Sequence, residues 1–352
     1  MKERQTLAGS GVELNVNTSK GLIKIPALTI NGPKLSNLAG NGVDINRDCT
    51  VSGMTVIGTG SYGFLYNPTD GTSSIHILNC IARNLPLGFG INPSGSSNVA
   101  LNMTNCITNN TDDNGFVIDV SDSASLSMSI VTCHQNNNMF GTGFFIRNSG
   151  NSLTGSLTNC SANNNTFDAG FYFESNTNAN LTLNLTNCIS NNSEDGFNTY
   201  TYDNSNARFT MTRCSASNND VTGFEFSAFG NSNIILNADS CFSNANADDG
   251  FIMVLHSNSS SIVNMINSTA NNTDVNGFYF ETRAASNLTL NLENCSGNNG
   301  DVGFFIENSG NSLTGSLENC SAIGNAFYSF DIDTPNAGTF QIAGDTTLSQ
   351  QL

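Results

Sequence analysis

The sequence predicts an all-β chain folded as a right-handed parallel β-helix, with about 27 residues and three short strands per rung. Three observations predict it. A column of small residues recurs at Met54, Cys80, Cys106, Cys133, Cys160, Cys188, Cys214, Cys241, Ser268, Cys295 and Cys320, with spacings of 25 to 28. A second column, mostly Gly-Phe, keeps step with it at Phe64, Phe89, Phe116, Phe144, Phe171, Phe197, Phe224, Phe251, Phe278, Phe304 and Phe330. Ahead of each cysteine, apolar residues alternate with polar ones, as in "LTLNLTNCISNN" at 181–192 and "LTLNLENCSGNN" at 288–299. A repeat of this length denotes a structural unit that buries its inner face only against its neighbours.

One unit shows why each element forms. Leu181, Leu183 and Leu185 stand seven, five and three residues before Cys188, and Leu288, Leu290 and Leu292 hold the same places before Cys295. Period two means a strand with one face inside. Cys49, five before Met54, belongs to the same inward set. Two residues past the column stands a small residue (Ala82, Ala162, Ala216, Ala270 and Ala322), which opens a second short strand. Asn follows four past the column, at Asn84, Asn110, Asn137, Asn164, Asn192, Asn218, Asn272 and Asn299. Asn tolerates left-handed backbone, and stacked amides bond one another along an axis, so this column marks a corner. An acidic turn comes next. Gly-Phe then starts the third strand, and an Asn-, Ser- and Gly-rich loop returns to the next unit. Eleven or twelve such rungs at the strand spacing of about 4.8 Å make a rod of roughly 50–60 Å. Residues 1–45 are expected to form an N-terminal cap or incomplete first rungs, 46–343 the β-helix and 344–352 a C-terminal tail.

The phrases "NCIARN", "NCSANN" and "NCISNN", each followed by "GF", resemble the right-handed β-helix repeats of the pectate-lyase-like superfamily, closest to its Asn- and Cys-rich bacterial repeat proteins. The resemblance covers roughly residues 45–343. It implies the fold and a choice of roles: polysaccharide lyases and hydrolases, phage tailspikes, surface adhesins and repeat proteins. It also implies an extracellular or cell-surface setting. "MKERQTLAGSGVELNV" shows no apolar segment of a signal peptide, and no apolar run is long enough to span a bilayer.

Charge narrows the partners. Against 28 acidic residues stand 11 basic ones, a net charge of −17, which disfavours nucleic acid and anionic membrane. Glycans, or a second copy of the chain, are the expected partners. No catalytic residue is assigned. "DD" occurs at 112–113 and 248–249, but in turns, and the Gly-His-Gly and Arg-Ile-Lys partners of polygalacturonase-like enzymes are missing. Pectate lyases need a base beside calcium carboxylates, and Arg208 with Arg213 is the sole close basic pair among six basic residues beyond position 40. A non-catalytic rod working as a surface, adhesive or scaffold element is therefore expected, with a carbohydrate-active enzyme as the alternative.

Three features are candidates for chemistry. The cysteines lack clustered Cys or His partners and are expected to be reduced core thiols. Asp113, Asp168, Asp195, Asp249 and Asp301 lie in the acidic turn, where they are either solvated or oxygen ligands for a hard cation such as Ca²⁺; no other cofactor is implied. Between the two inward positions of the Phe strand, the outward residue reads Gly90, Val117, Phe145, Tyr172, Asn198, Glu225, Ile252, Tyr279, Phe305 and Asp331. Its apolar runs form two expected strips, with Phe145, Tyr172, Tyr279 and Phe305 as candidate contacts for a ligand or a second copy. The outward face of the long strand, with Asn102, Ser129, Asn184, Asn237, Asn264 and Asn291, is flat and rich in amides and hydroxyls.

Overall fold

Alternation sets the pattern of each strand, and the 27-residue period sets what it pairs with. A computed structural model describes residues 1–9, 14–18, 21–25, 34–334, 338–343 and 347–348. Among these, the strands form three parallel sheets of 13, 13 and 12 strands, wound as a β-solenoid of about eleven turns. Each rung gives one strand to each sheet. In one turn, Asn180–Thr186 lies in the long-strand sheet, Ile189–Asn191 in the corner sheet and Phe197–Thr201 in the Phe sheet. No helix occurs among the described residues.

The N-terminal segment already takes part in the stack. Thr6–Ala8, Lys34–Asn37 and Val43–Asp44 pair in parallel with the strands of the following rung, one in each sheet. Between them, Leu14–Thr18 and Gly21–Ile25 form an antiparallel hairpin. At the other end, Gly338–Ala343 and Thr347–Leu348 continue two of the sheets, and the rest of 344–352 lies outside the described residues.

Register places like on like. Leu181, Leu183 and Leu185 face Leu153, Gly155 and Leu157 of the rung before and Ala207, Phe209 and Met211 of the rung after. The Phe column becomes one continuous stack from Phe64 to Phe330, with ring centroids 4.4 to 5.2 Å apart and planes within 9°. These separations exceed carbon contact distance, so the rings are slid over one another in the favoured offset arrangement. Burying each ring contributes about 1.5–3 kcal/mol.

The Gly of Gly-Phe and the small residue after the cysteine turn out to be mates. A Cβ at Gly196 would come within 2.6 Å of the Ala216 Cβ and 2.3 Å of the Gly223 carbonyl. The corner sheet and the Phe sheet meet there edge to edge, and only hydrogen fits.

The corners are held by amides. Asn84, Asn110, Asn137, Asn164 and Asn192 all have φ between 53° and 60°. From Asn110 on, each Nδ2 donates to the Oδ1 of the Asn one rung earlier, at 3.0 to 3.3 Å. A second left-handed column precedes the cysteine, including Asn79, Asn105, Asn159 and Asn187, so the recurring "NC" is itself a corner. Asn165, Asn219 and Asn246, one place further along than the first column, instead turn into the core.

All ten cysteines are free and buried. Their thiols donate to backbone carbonyls, as Cys106 Sγ does to Ile77 O and Cys188 Sγ to Leu157 O, both at 3.4 Å. Cysteines also bond the carbonyl two residues before them, as Cys106 does Thr104 O at 3.5 Å, and Ser268 keeps that local bond through its hydroxyl, to Ile266 O at 3.1 Å. Burial pushes the Cys80 thiol up to about 11, so thiolate, the reactive form, is scarce at neutral pH.

Two outcomes follow from this packing. Leu183→Asp and Phe224→Asp each place an unpaired charge in a stacked apolar ladder and are expected to cost more than about 4 kcal/mol. Asn184→Asp, on the exposed face of the same strand, is expected to stay within about 0.5 kcal/mol. Urea unfolding of the three variants checks this, and equal losses would contradict the inward phase. For the thiols, Ellman titration is expected to find ten reactive groups after denaturation and very slow reaction in the native rod, since all ten are buried.

Candidate functional site

Every pair in the outward column of the Phe sheet is in register: Gly90, Val117, Phe145, Tyr172, Asn198, Glu225, Ile252, Tyr279, Phe305 and Asp331 stand one above another. Phe145 and Tyr172 stack at 5.3 Å and 4°, Tyr279 and Phe305 at 5.2 Å and 23°, and all four are half-buried. The stacking limits what they can bind. A ring whose faces are turned toward its ladder neighbours offers solvent its edge, so a sugar ring can lie flat only at the ends of a strip.

The sheet carries two more outward columns. Two residues further along each strand stand Asp119, Arg147, Glu174, Tyr200, Ser227, Val254 and Glu281. Beyond the strand ends, Tyr202, Phe229 and His256 form a third stack, with centroids 5.0 and 4.4 Å apart. The signal for these residues was present in "FNTYTY" at 197–202, where alternation carries on past the Phe strand. The face is concave: Asn198, Ser227, Val254 and Glu281 are only 3 to 6% exposed although their strands aim them outward.

Tyr200 stands at the centre of this face, near-parallel to Tyr202 of its own rung at 6.2 Å and 19° but tilted from its other ring neighbours. Its ring is 5.8 Å from Tyr172 at 45° and 6.3 Å from Phe229 at 35°. At the two ends, arginines are already matched. Arg147 grips Asp119 through Nε and Nη2 at 2.9 and 2.6 Å and lies 5.6 Å from the Phe145 centroid, and Arg283 pairs with Glu281. Between them, Glu174 accepts from Tyr172 at 3.0 Å, and Glu225 accepts from Ser227 at 3.1 Å and meets the Tyr200 hydroxyl.

The five aspartates do not form one line. Asp113, Asp168 and Asp301 stand three residues before their Phe, whereas Asp195 and Asp249 stand two before, in a column with Thr222 between them. Asp113 and Asp168 bond the next backbone N–H at 2.8 and 2.7 Å. Asp195 accepts from Thr222 N at 3.0 Å and Asn198 Nδ2 at 3.1 Å; Asp249 accepts from the backbone and side chain of Asn276 at 2.9 and 2.7 Å. Burial, reinforced by the Glu225 charge among others, pushes both Asp195 and Asp249 up to about 6, and burial also raises Glu225. Among the described residues, no three His, Cys, Asp or Glu side chains converge as a metal-binding group.

Two further surfaces complete the picture. The turn ahead of the Phe strand carries the most exposed rings, Phe140, Phe167 and Phe327, 62 to 65% exposed, the first two stacked at 5.8 Å. Beside those two an open groove of about 410 Å³ runs along Asn110, Asn137 and Asn164. On the long-strand sheet, Asn237, Asn264 and Asn291 form an amide ladder with bonds of 2.9 Å.

No protein-family model, curated protein or solved structure matches the chain.

The raised carboxyls have a consequence for stability. Unfolded, Asp195 and Asp249 titrate near 3.8, and folded near 6. The folded state therefore binds more protons between these values, and stability falls as pH rises from about 4 to about 6, then levels. Each group accounts for about 2–3 kcal/mol of that fall. Asp249→Asn keeps an acceptor for Asn276 and is expected to match the wild type near pH 4 and exceed it by about 2–3 kcal/mol at pH 7. Thermal melts across this range check it, and an unchanged pH slope in the variant would contradict the assignment.

Proposed function

We propose that the chain is a non-catalytic, rod-like repeat protein that works as a surface, adhesive or scaffold element and makes its contacts through the outward face of the Phe sheet. The observation that carries this is the aromatic face itself: three columns of outward side chains in register over several rungs, with half-buried rings and a concave floor. Apolar surface held in one strip on a soluble chain commonly marks a contact with a partner. The uniformity of the rungs points the same way. Strand, corner and turn repeat with little change, which suits spacing and display better than a unique catalytic constellation. The resemblance to Asn- and Cys-rich repeats of the pectate-lyase-like superfamily supports an extracellular or cell-surface setting, where glycans or a second copy of the rod would be met. Calcium at the acidic turn remains part of this proposal only at Asp113, Asp168 and Asp301, since burial holds Asp195 and Asp249 toward their neutral form.

The test pairs a turnover screen on acidic and neutral polysaccharides with a glycan array and sedimentation velocity. No turnover is expected, together with self-association or glycan binding that disappears in a Phe145→Ser, Tyr172→Ser, Tyr279→Ser, Phe305→Ser variant. Polysaccharide cleavage by the wild type would replace this function with that of a carbohydrate-active enzyme. A wild type that stays monomeric at high concentration and binds no glycan would remove both proposed partners.

A further inference from the structure

We propose that the outward surface centred on Tyr200, between Glu174 and Glu225, receives lysine and arginine side chains of a basic, extended polypeptide segment. This rests on the reading of the Phe-sheet face as the contact surface and names the partner it fits.

The groups here are acceptors and π faces, and the nearest cation, Arg147, one rung from Glu174 in the same column, is taken up by Asp119. Among the described residues, no basic side chain forms an ion pair with Glu174, Asp195, Glu225 or Asp249. The two arginines of this face are held at its ends by Asp119 and Glu281. Asn198, only 6% exposed, stands in register between Tyr172 and Glu225; it gives Nδ2 to Asp195 and leaves its Oδ1 without a donor. A buried acceptor without a partner is costly, and it calls for a group that donates. Tyr200 adds a ring that is near-parallel only to Tyr202 of its own rung, at 6.2 Å, and that has Ser227 rather than a second ring in register on the next rung, unlike Phe145 and Tyr172. Carboxylates beside an open aromatic face favour ammonium and guanidinium groups. The molecule already uses this chemistry once on the same face, where Arg147 lies over the Phe145 ring while paired with Asp119.

Two features favour a polypeptide. Glu174 and Glu225 are two rungs and two strand residues apart, roughly 12 Å, close to the separation of residues four apart in an extended chain, whose side chains share one face. The net charge of −17 draws a basic segment toward the rod before it docks.

The test titrates a fluorescent decalysine peptide with the full chain by anisotropy, at neutral pH and about 20 mM salt, where ionic contacts are least screened. Glu174→Gln with Glu225→Gln is expected to weaken binding about tenfold or more, and Tyr200→Leu about threefold, because the ring contributes apart from charge. Glu293→Gln with Glu318→Gln, the same charge change on the long-strand face, is expected to stay within about twofold, as a screened rim charge does. Equal losses in the two double variants would overturn the proposal, because attraction would then be diffuse. A neutral glycan bound where the peptide is not would overturn it while leaving the contact face in place. Absence of peptide binding, glycan binding and self-association together would overturn both.

Discussion

Everything in this chain depends on identical positions stacking at the spacing of parallel strands, about 4.8 Å. That constraint turns each choice of residue into a choice for a whole column. A Phe placed in a column contributes burial and ring contact along the axis, and the stack from Phe64 to Phe330 is one continuous object. A charge placed in a column meets its own kind one rung away. This is why Asn is so frequent at the corners: its amide is both donor and acceptor, so a ladder of Asn satisfies itself, where a ladder of Asp would repel.

The same rule explains the acidic turn. Carboxylates are spread over different offsets from the Phe column, and Thr222 separates Asp195 from Asp249. Where acids do come near one another, around Glu225, burial and mutual repulsion move them toward the neutral form. A group of this kind lowers stability at neutral pH, and the rod tolerates it because the ladders on either side are unaffected.

Most of the fold was legible because period is a property of sequence alone. The cysteine and Gly-Phe columns predicted the rungs, and the alternation between them placed Leu183 inward, Asn184 outward and Phe145 beside Tyr172. What alternation did not disclose was which space each side chain finds. Gly155 and Gly315 take inward positions where leucine is expected, because the backbone of the preceding rung fills that space; a Cβ at Gly155 would sit 2.5 Å from Met128 O. Outward direction was likewise taken for exposure. Asn198 and Val117 point outward yet are buried, since taller neighbours on a concave face cover them. The exposed rings Phe140, Phe167 and Phe327 fall in the turn, outside either alternating strand pattern.

A stack in which every rung is alike has no place for a site, since any feature is repeated along the whole axis. Specific contact therefore needs a rung that departs from the pattern. On the Phe sheet the departure begins at Asn198, which interrupts the outward aromatic column, and continues with Glu225 one rung on. Beside Asn198 stands Tyr200, tilted 45° from Tyr172 and in register with Glu174 and Ser227 rather than with other rings. In a repeat protein the sequence positions most informative about function are those where the repeat is broken and the fold is not.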